Sequence, residues 1–353
     1  MTRDLQTTAW LIGPRAIEIR QTVAPPLQRG EVRVRIDAAV TCGTDVKVYL
    51  RGSHPTMLEV PAPFGHEMSG TIVEITAGLT GWNEGDDVVV SNSASCGVCL
   101  NCRAERENLC LDLLYLNGAY GDSLVIPSRF VQRSLYVRPA GLDAAIAALS
   151  EPLACVLHGI EVSSPGAESD VVVYGGGPIG LLFVNVLTNF GHRVTLADPH
   201  SMRLQAGTDM GADAVVQSGQ ESSRAEVMAA AENPSGFDVA VEATGSAGAW
   251  SSAVESVRPG GSVLLFGGCA PGTKMALDTY RTHYSELTLR GAYHHRPATF
   301  GRALDLLAAG TLAPELLLSA ERPLEEVGEA LESMIRRETL KVIIRPGLSQ
   351  DRS

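Results

Sequence analysis

Four cysteines, Cys96, Cys99, Cys102 and Cys110, fall at spacings of x2, x2 and x7. Four thiolates this close satisfy tetrahedral zinc and leave no open position for a substrate, which marks a structural site. An iron–sulfur cluster would accept the same ligands, and four unligated thiols are the bland alternative. A second set is scattered: Cys42 in TCGTDVK, His66 and Glu67 in FGHEMSG, and Glu151 in SEPLAC. One thiolate, one imidazole and one or two carboxylates can hold zinc while leaving room for water or substrate. Singly each reads as an ordinary core or surface residue, and only the combination lifts them. The third feature is Gly175-Gly176-Gly177-Pro178-Ile179-Gly180, a G-x-G-x-x-G directly after the apolar run Val171–Tyr174. Gly175 permits a tight turn, Gly177 lets the backbone approach a pyrophosphate, and Gly180 lets helix and strand pack closely, with the helix N-terminus facing the anion. Asp198 follows 18 residues after Gly180. A carboxylate there accepts hydrogen bonds from ribose hydroxyls and repels a 2′-phosphate, so NAD is favoured over NADP. Arg203, close by in sequence, either counters that charge or faces solvent.

These residues need elements to position them. Up to about Pro139 the chain reads as short strands punctuated by Gly and Pro, with alternation in Glu31–Ala38, Gly70–Ile75 and Asp87–Val90. From Asp143 the texture is Ala-rich helix, and from Asp170 it is strand, Gly-rich turn, helix, strand, which is a βαβ unit. Strand-like runs at Phe237–Glu242 and Ser262–Phe266, separated by a helical stretch Ala247–Val257, extend this to a parallel sheet covered by helices. Pro297–Ala309 and Leu324–Arg337 read as helices before a last strand, LKVIIRP.

The chain has 353 residues, about two domains' worth, and its 45% hydrophobic and 19% charged content is that of a folded globular protein. A net charge of −12 argues against nucleic acid or an anionic membrane surface as partner. Apolar runs fall short of the roughly 20 residues that cross a bilayer, and the N-terminal MTRDLQTTAW does not read as a secretory signal. Seven cysteines, four of them in one cluster, suit metal binding in a reducing compartment, so the expected location is the cytoplasm.

Cys42-Gly43-Thr44-Asp45, Gly65-His66-Glu67-x2-Gly70, the four-cysteine lobe, Glu151-Pro152-Leu153, the glycine fingerprint, Glu242-Ala243-Thr244-Gly245 and Gly260-Gly261 occur in one order along nearly the whole chain. In this the sequence resembles the zinc-dependent medium-chain dehydrogenases. It looks most like the sorbitol and threonine dehydrogenase branch, since classical alcohol dehydrogenases generally carry a cysteine at the place of Glu151. The resemblance implies an α/β fold with a doubly wound Rossmann sheet inserted in a β-rich GroES-like domain. Residues 1–155 would form the catalytic domain with its zinc lobe, 156–292 the NAD-binding domain, and 293–353 a return to the catalytic domain, with the active site in the cleft between. It implies two zincs per chain: a catalytic one at Cys42, His66 and Glu67, with Glu151 beside it or on it, and a structural one in the cysteine lobe. Thr44 matches the hydroxyl that takes the substrate proton. Thr244, Phe266 and Gly267 fall where the chain passes the cofactor. A homo-oligomer, dimer or tetramer, is also implied.

The sequence departs from that pattern in three places. Thr76 replaces the usual Gly or Ala, Lys47 stands where many members carry a proton-relaying histidine, and Tyr120 takes the place of the family's aromatic after the zinc lobe, where it either lines the substrate pocket or packs. Lys47 is expected to be the second member of the relay or a donor to the cofactor ribose. His294 and His295 either reach the active site or face solvent. The reaction implied is reversible oxidation of a secondary alcohol on a polyol, sugar or cyclitol. Alternatives are a threonine-like or other amino alcohol, a zinc-independent reductase, and a non-catalytic NAD-binding protein.

Overall fold

The computed structural model describes residues 5–54, 56–219 and 223–347. The chain divides into two compact units. One takes Met1–Glu151, Arg296–Ala309 and Leu317–Ser353, and the other takes Pro152–His295 and Gly310–Leu316.

In the first unit strand Val32–Val40 is the hub. It pairs antiparallel with Glu67–Ile75, with Ser123–Ile126 and with Lys341–Arg345. Val32, Val34 and Ile36 alternate into the main core, as a half-buried strand requires. The register then shifts between Ile36 and Ala38, so that Ala39 continues toward this core while Ala38 and Val40 turn to a second cluster with Ala144, Ala145, Ala148 and Leu149. The strand is thus buried on both faces where it ends. Val40 pairs with Glu67, and Thr41 N donates to Val342 O at 3.0 Å. Three distant segments, 41–45, 66–67 and 341–342, therefore meet at one corner of the sheet. A hairpin of Leu5–Gly13 and Ala16–Val23 and the strand Leu318–Pro323 complete the β-rich unit. The expected helix over Leu324–Arg337 is a short 3-10 turn, Leu324–Glu326, followed by the helix Val327–Ile335.

The second unit is built on six parallel strands. Numbered 1 to 6 in chain order, Asp170–Tyr174, Arg193–Asp198, Ala214–Gln217, Phe237–Glu242, Val257–Leu265 and Thr288–Gly291 lie in the order 3-2-1-4-5-6. This is the doubly wound order whose switch point lies at the first strand. That strand has all five residues buried, which explains its unbroken apolar run. The fifth strand begins earlier than its apolar pattern indicates, because Val257 already pairs with Phe237 before the register shifts. Among the described residues no helix is long and apolar enough to cross a membrane.

Candidate functional site

Cys42 caps the N-terminus of helix Gly43–Arg51. Its backbone is extended, its Sγ accepts from Thr44 N at 3.4 Å, and the Asp45 carboxylate accepts from Cys42 N at 3.1 Å. The CGTD sequence is thus a reciprocal capping box with sulfur in the usual hydroxyl's place. His66 lies at the entrance to strand Glu67–Ile75, its Nδ1 2.9 Å from Asp45 Oδ1. With Nδ1 held by a carboxylate, Nε2 is the ring atom left to ligate. One ligand atom each from Cys42, His66 and Glu67 lie within 4.8 Å of one another.

Glu67 is fully buried. Its Oε2 accepts from Lys341 Nζ at 2.6 Å, whereas Oε1 has no hydrogen-bond partner among the described residues. A buried carboxylate oxygen left without a donor costs free energy, and a cation beside it removes that cost. Together with the thiol and the imidazole, this is a donor set suited to zinc, with three protein ligands and one position left for substrate.

The electrostatics follow from burial among opposed charges. Burial pushes the Glu67 carboxyl up to about 7 against the pull of Lys341. Burial would lower Lys341, but Glu67 and Cys42 raise it. Burial and the Glu67 charge push the Cys42 thiol up, so a metal is what would hold it as thiolate. Burial acts to lower His66, yet Asp45 and Cys42 hold it well above its usual value.

Glu151 is buried, with its Oε1 accepting from Asn92 Nδ2 at 3.1 Å. It lies outside the three-residue cluster, although its charge raises Glu67 and Lys341. Thr44 stands half-buried in the first turn after Cys42, and Lys47 is exposed one turn further on the same helix face. Tyr120 is fully buried and donates to Asp45 Oδ2 at 2.5 Å. His294 and His295 face one another, ring centroids 4.0 Å apart, with His294 at φ +60°.

The cysteine lobe places the sulfurs of Cys96 and Cys102, Cys99 and Cys102, and Cys99 and Cys110 at 3.9, 3.5 and 3.9 Å. Sulfurs about 2.3 Å from a tetrahedral zinc stand about 3.8 Å apart, far beyond a disulfide bond. Backbone N–H groups converge on the sulfurs and lower Cys96 and Cys99, the latter to about 6, while burial pushes Cys102 up to about 12. The pattern needs a cation to hold all four as thiolates.

In the second unit Gly177 caps helix Pro178–Asn189, and a Cβ on Gly177 would meet nothing within 4 Å, so the helix N-terminus opens onto free space. Gly180 has the opposite reason to be glycine, since a Cβ would fall 1.7 Å from Gly175 O. The buried Asp198 carboxylate accepts from Gly176 N at 2.7 Å and His200 N at 2.8 Å, and Arg203 Nη1 stands 3.5 Å away. Thr244 donates through both N and Oγ1 to Glu242 Oε1, while the amides of Phe266 and Gly267 donate to Glu242 O at 3.0 and 2.9 Å. One buried residue thus ties together two stretches expected beside the cofactor. A cavity of about 360 Å³ nearby is lined by Tyr174, Ser218, Arg224, Gly248 and Ser252 among others.

The sequence motifs contain Asp45 and Glu242 without assigning either a role, and they do not include Lys341. Asp45 carried a readable signal, an acidic residue three positions after a helix cap. Lys341 carried none, because only the sheet brings it to Glu67 across 274 residues.

Comparison with known proteins agrees with this architecture. Residues 28–134 match the alcohol dehydrogenase GroES-like domain, and residues 178–309 match the zinc-binding dehydrogenase domain. The chain is 29% identical over 330 residues to 2-dehydro-3-deoxy-L-galactonate 5-dehydrogenase of Pseudoalteromonas atlantica, covering 92% of this chain and 94% of that one. It is 30% identical to L-threonine 3-dehydrogenase of Paraburkholderia phytofirmans (91% and 93% covered) and 29% identical to sorbitol dehydrogenase of Halalkalibacterium halodurans (93% and 95%). Among solved structures, a zinc-binding dehydrogenase from Sinorhizobium meliloti bound to NADP superposes with a TM-score of 0.88 at 28% identity, covering 97% of this chain and all of that one. With a GroES-like domain, a zinc-binding dehydrogenase domain and relatives matched over nine-tenths of its length, the chain belongs to the zinc-dependent medium-chain dehydrogenases and is an alcohol oxidoreductase.

Proposed function

We propose that the chain oxidises a secondary alcohol of a polyol, sugar or cyclitol to the ketone with NAD, using Cys42, His66 and Glu67 as ligands of a catalytic zinc and Cys96, Cys99, Cys102 and Cys110 as those of a structural one. The observation that carries this reading is the unsatisfied Glu67 Oε1 beside a thiol and an imidazole whose other nitrogen is held by Asp45. When bound, zinc supplies Lewis acidity toward the alcohol oxygen and NAD supplies the hydride acceptor. With both bound, Thr44 would take the hydroxyl proton and pass it on to water, while the cofactor would accept the carbon-bound hydrogen as hydride. The open N-terminus at Gly177–Gly180 binds the pyrophosphate, while Asp198, which has acceptor capacity beyond its two backbone donors, takes the ribose hydroxyls. Thr244, Phe266 and Gly267 would hold the nicotinamide end through backbone groups, and Arg203, beside Asp198, would reach the ribose. The 360 Å³ cavity beside Tyr174 and Ser218 has room for the adenosine end.

Threonine dehydrogenase among the relatives favours a second reading, in which the alcohol carries an amino group. Metal analysis and a substrate screen test both. We expect two zincs per chain, with NADH absorbance developing on polyols, sugars or cyclitols. Turnover confined to amino alcohols would replace the first reading with the second. One zinc and no turnover would favour a non-catalytic NAD-binding protein. The working form we propose is a homo-oligomer in the cytoplasm; its assembly is supported by the largely exposed Tyr280 and Tyr284, a few residues before the edge strand Thr288–Gly291, and is testable by light scattering.

A further inference from the structure

We propose that Tyr120 is a positioning residue for the Cys42–His66–Glu67 site, its hydroxyl holding the Asp45 carboxylate in the orientation that fixes the His66 ring. The inference rests on reading that trio as a metal site. Asp45 has two oxygens and three donors. Oδ1 faces His66 Nδ1 at 2.9 Å, and Oδ2 accepts from Cys42 N at 3.1 Å and from Tyr120 OH at 2.5 Å. The Cys42 amide alone would leave the carboxylate free to pivot about one long bond. A second, shorter bond from a different segment fixes its plane. That plane sets where the His66 N–H must point, and hence where Nε2 is aimed.

Tyr120 is built in tightly enough to serve as such an anchor. Its ring meets Phe64 edge-on, centroids 5.7 Å apart at 82°, and its amide donates to Phe64 O at 2.9 Å. Gly118 N and Ala119 N both donate to Gly65 O, so the tyrosine segment is bonded to the residue directly before His66. Gly65 stands at φ +86°, and a Cβ there would come within 2.7 Å of the tyrosine ring. Glycine is needed for the conformation and for the close approach alike.

A phenylalanine would satisfy all of this packing. Only the hydroxyl goes unexplained by it, and a buried hydroxyl without a partner is costly. Its short bond runs to Asp45, while Val40 O lies at 3.5 Å, the limit of hydrogen bonding. Burial and the Asp45 charge hold the phenol pKa well above its usual value, so the group stays a neutral donor.

The test is Tyr120→Phe, which deletes the hydroxyl and keeps the ring. Zinc affinity is measured by competition with a chromogenic chelator, and ligand geometry by the visible spectrum of the cobalt(II)-loaded protein. Zinc in the cysteine lobe serves as the internal reference for folding. A direct partner of a ligating imidazole is worth about 10- to 100-fold in metal affinity, and Tyr120 acts one step behind it, so we expect a loss of several-fold that stays below that of Asp45→Ala, with a displaced cobalt band and the lobe unaffected. In an Asp45→Ala background Tyr120→Phe should add nothing further, because the hydroxyl acts through that carboxylate. Unchanged affinity and spectrum, or a full additional loss in the Asp45→Ala background, would overturn the proposal. A native protein that takes up only the lobe zinc, with Cys42→Ala leaving its metal content unchanged, would instead overturn the metal reading and carry this proposal with it.

Discussion

Lys341 Nζ lies 2.6 Å from Glu67 Oε2, an ion pair 274 residues apart in sequence with both side chains buried. The ammonium also donates to Thr41 O at 2.8 Å, the residue before Cys42. Strand Lys341–Arg345 therefore ties together the segments that carry Cys42 and Glu67, and it occupies one Glu67 oxygen while the other has no partner among the described residues. Removing one partner of a buried pair strands the other charge, at a cost of about 3–5 kcal/mol. Lys341→Met should accordingly destabilise the metal-free protein by a few kcal/mol, and zinc should restore part of the loss by compensating Glu67. Thermal unfolding with and without chelator reads both effects. A metal-free variant as stable as the native protein would show that the pair contributes nothing.

The two proposed metal sites should be separable. Cys42 sits at the tip of a helix, outside the apolar core, so Cys42→Ala should abolish turnover, lose one zinc and leave a folded protein that binds NADH. The cysteine lobe has the buried Cys102 among its four thiols and, among the described residues, only the short strands Ser93–Ala94 and Leu114–Tyr115. A closed thiolate site contributes folding free energy to such a lobe. Cys102→Ala should chiefly lower the unfolding temperature or disturb assembly. Substantial activity remaining in zinc-depleted Cys42→Ala would refute the catalytic assignment.

What the sequence conveyed and what it hid divide by range. Gly175–Gly180 after Val171–Tyr174 was legible because turn, helix start and strand lie within a dozen residues, and each imposes its own residue type. The cysteine lobe was legible for the same reason. Asp45 is encoded locally as well, as the acidic member of the capping box, but its bond to His66 depends on where strand Glu67–Ile75 is placed. Lys341 and the hydroxyl of Tyr120 could not be read at all. Their partners are chosen by strand register and by the Gly65–Tyr120 contact, which no local pattern encodes.

Asp198 should decide the cofactor. Its carboxylate is buried and anchored by two backbone N–H groups, so it cannot swing away to admit a 2′-phosphate. Arg203, 3.5 Å away, offers a partner to that phosphate once the carboxylate is gone. Native protein should strongly prefer NAD to NADP by kcat/KM, and Asp198→Ala should erode the preference by weakening NAD and relieving repulsion. Equal efficiency with both cofactors in the native protein would sink the assignment.

His54 gives the first unit an acid-sensitive turn. Its Nδ1 accepts from Thr56 N at 3.2 Å and Met57 N at 3.0 Å, and His54 N donates to Leu58 O. Burial, with the charges of His66 and Arg51, lowers its pKa. A base depressed in the folded state binds fewer protons than in the unfolded chain. Its contribution is therefore complete above the ordinary value of about 6.5 and is lost as pH falls through the lowered one. Amide exchange at Thr56 and Met57 should accelerate in that range, and His54→Ala should show fast exchange at every pH. Acid-independent protection at both amides would contradict the account.

Lys47 replaces the imidazole that many related enzymes place five residues after the zinc cysteine, and its position limits what it can do. It is exposed, one helical turn beyond Thr44, and makes no hydrogen bond or ion pair among the described residues. A charged ammonium has three donors and no lone pair, so it cannot take a proton from Thr44, but it can donate to a ribose hydroxyl. Lys47→Met should therefore raise the KM for NAD several-fold and leave the shape of the pH–rate profile intact, the proton passing from Thr44 to water. The comparison that matters is kcat against pH for the two proteins. If the variant loses the basic limb in kcat while its NAD affinity holds, Lys47 belongs to the proton path and not to the cofactor.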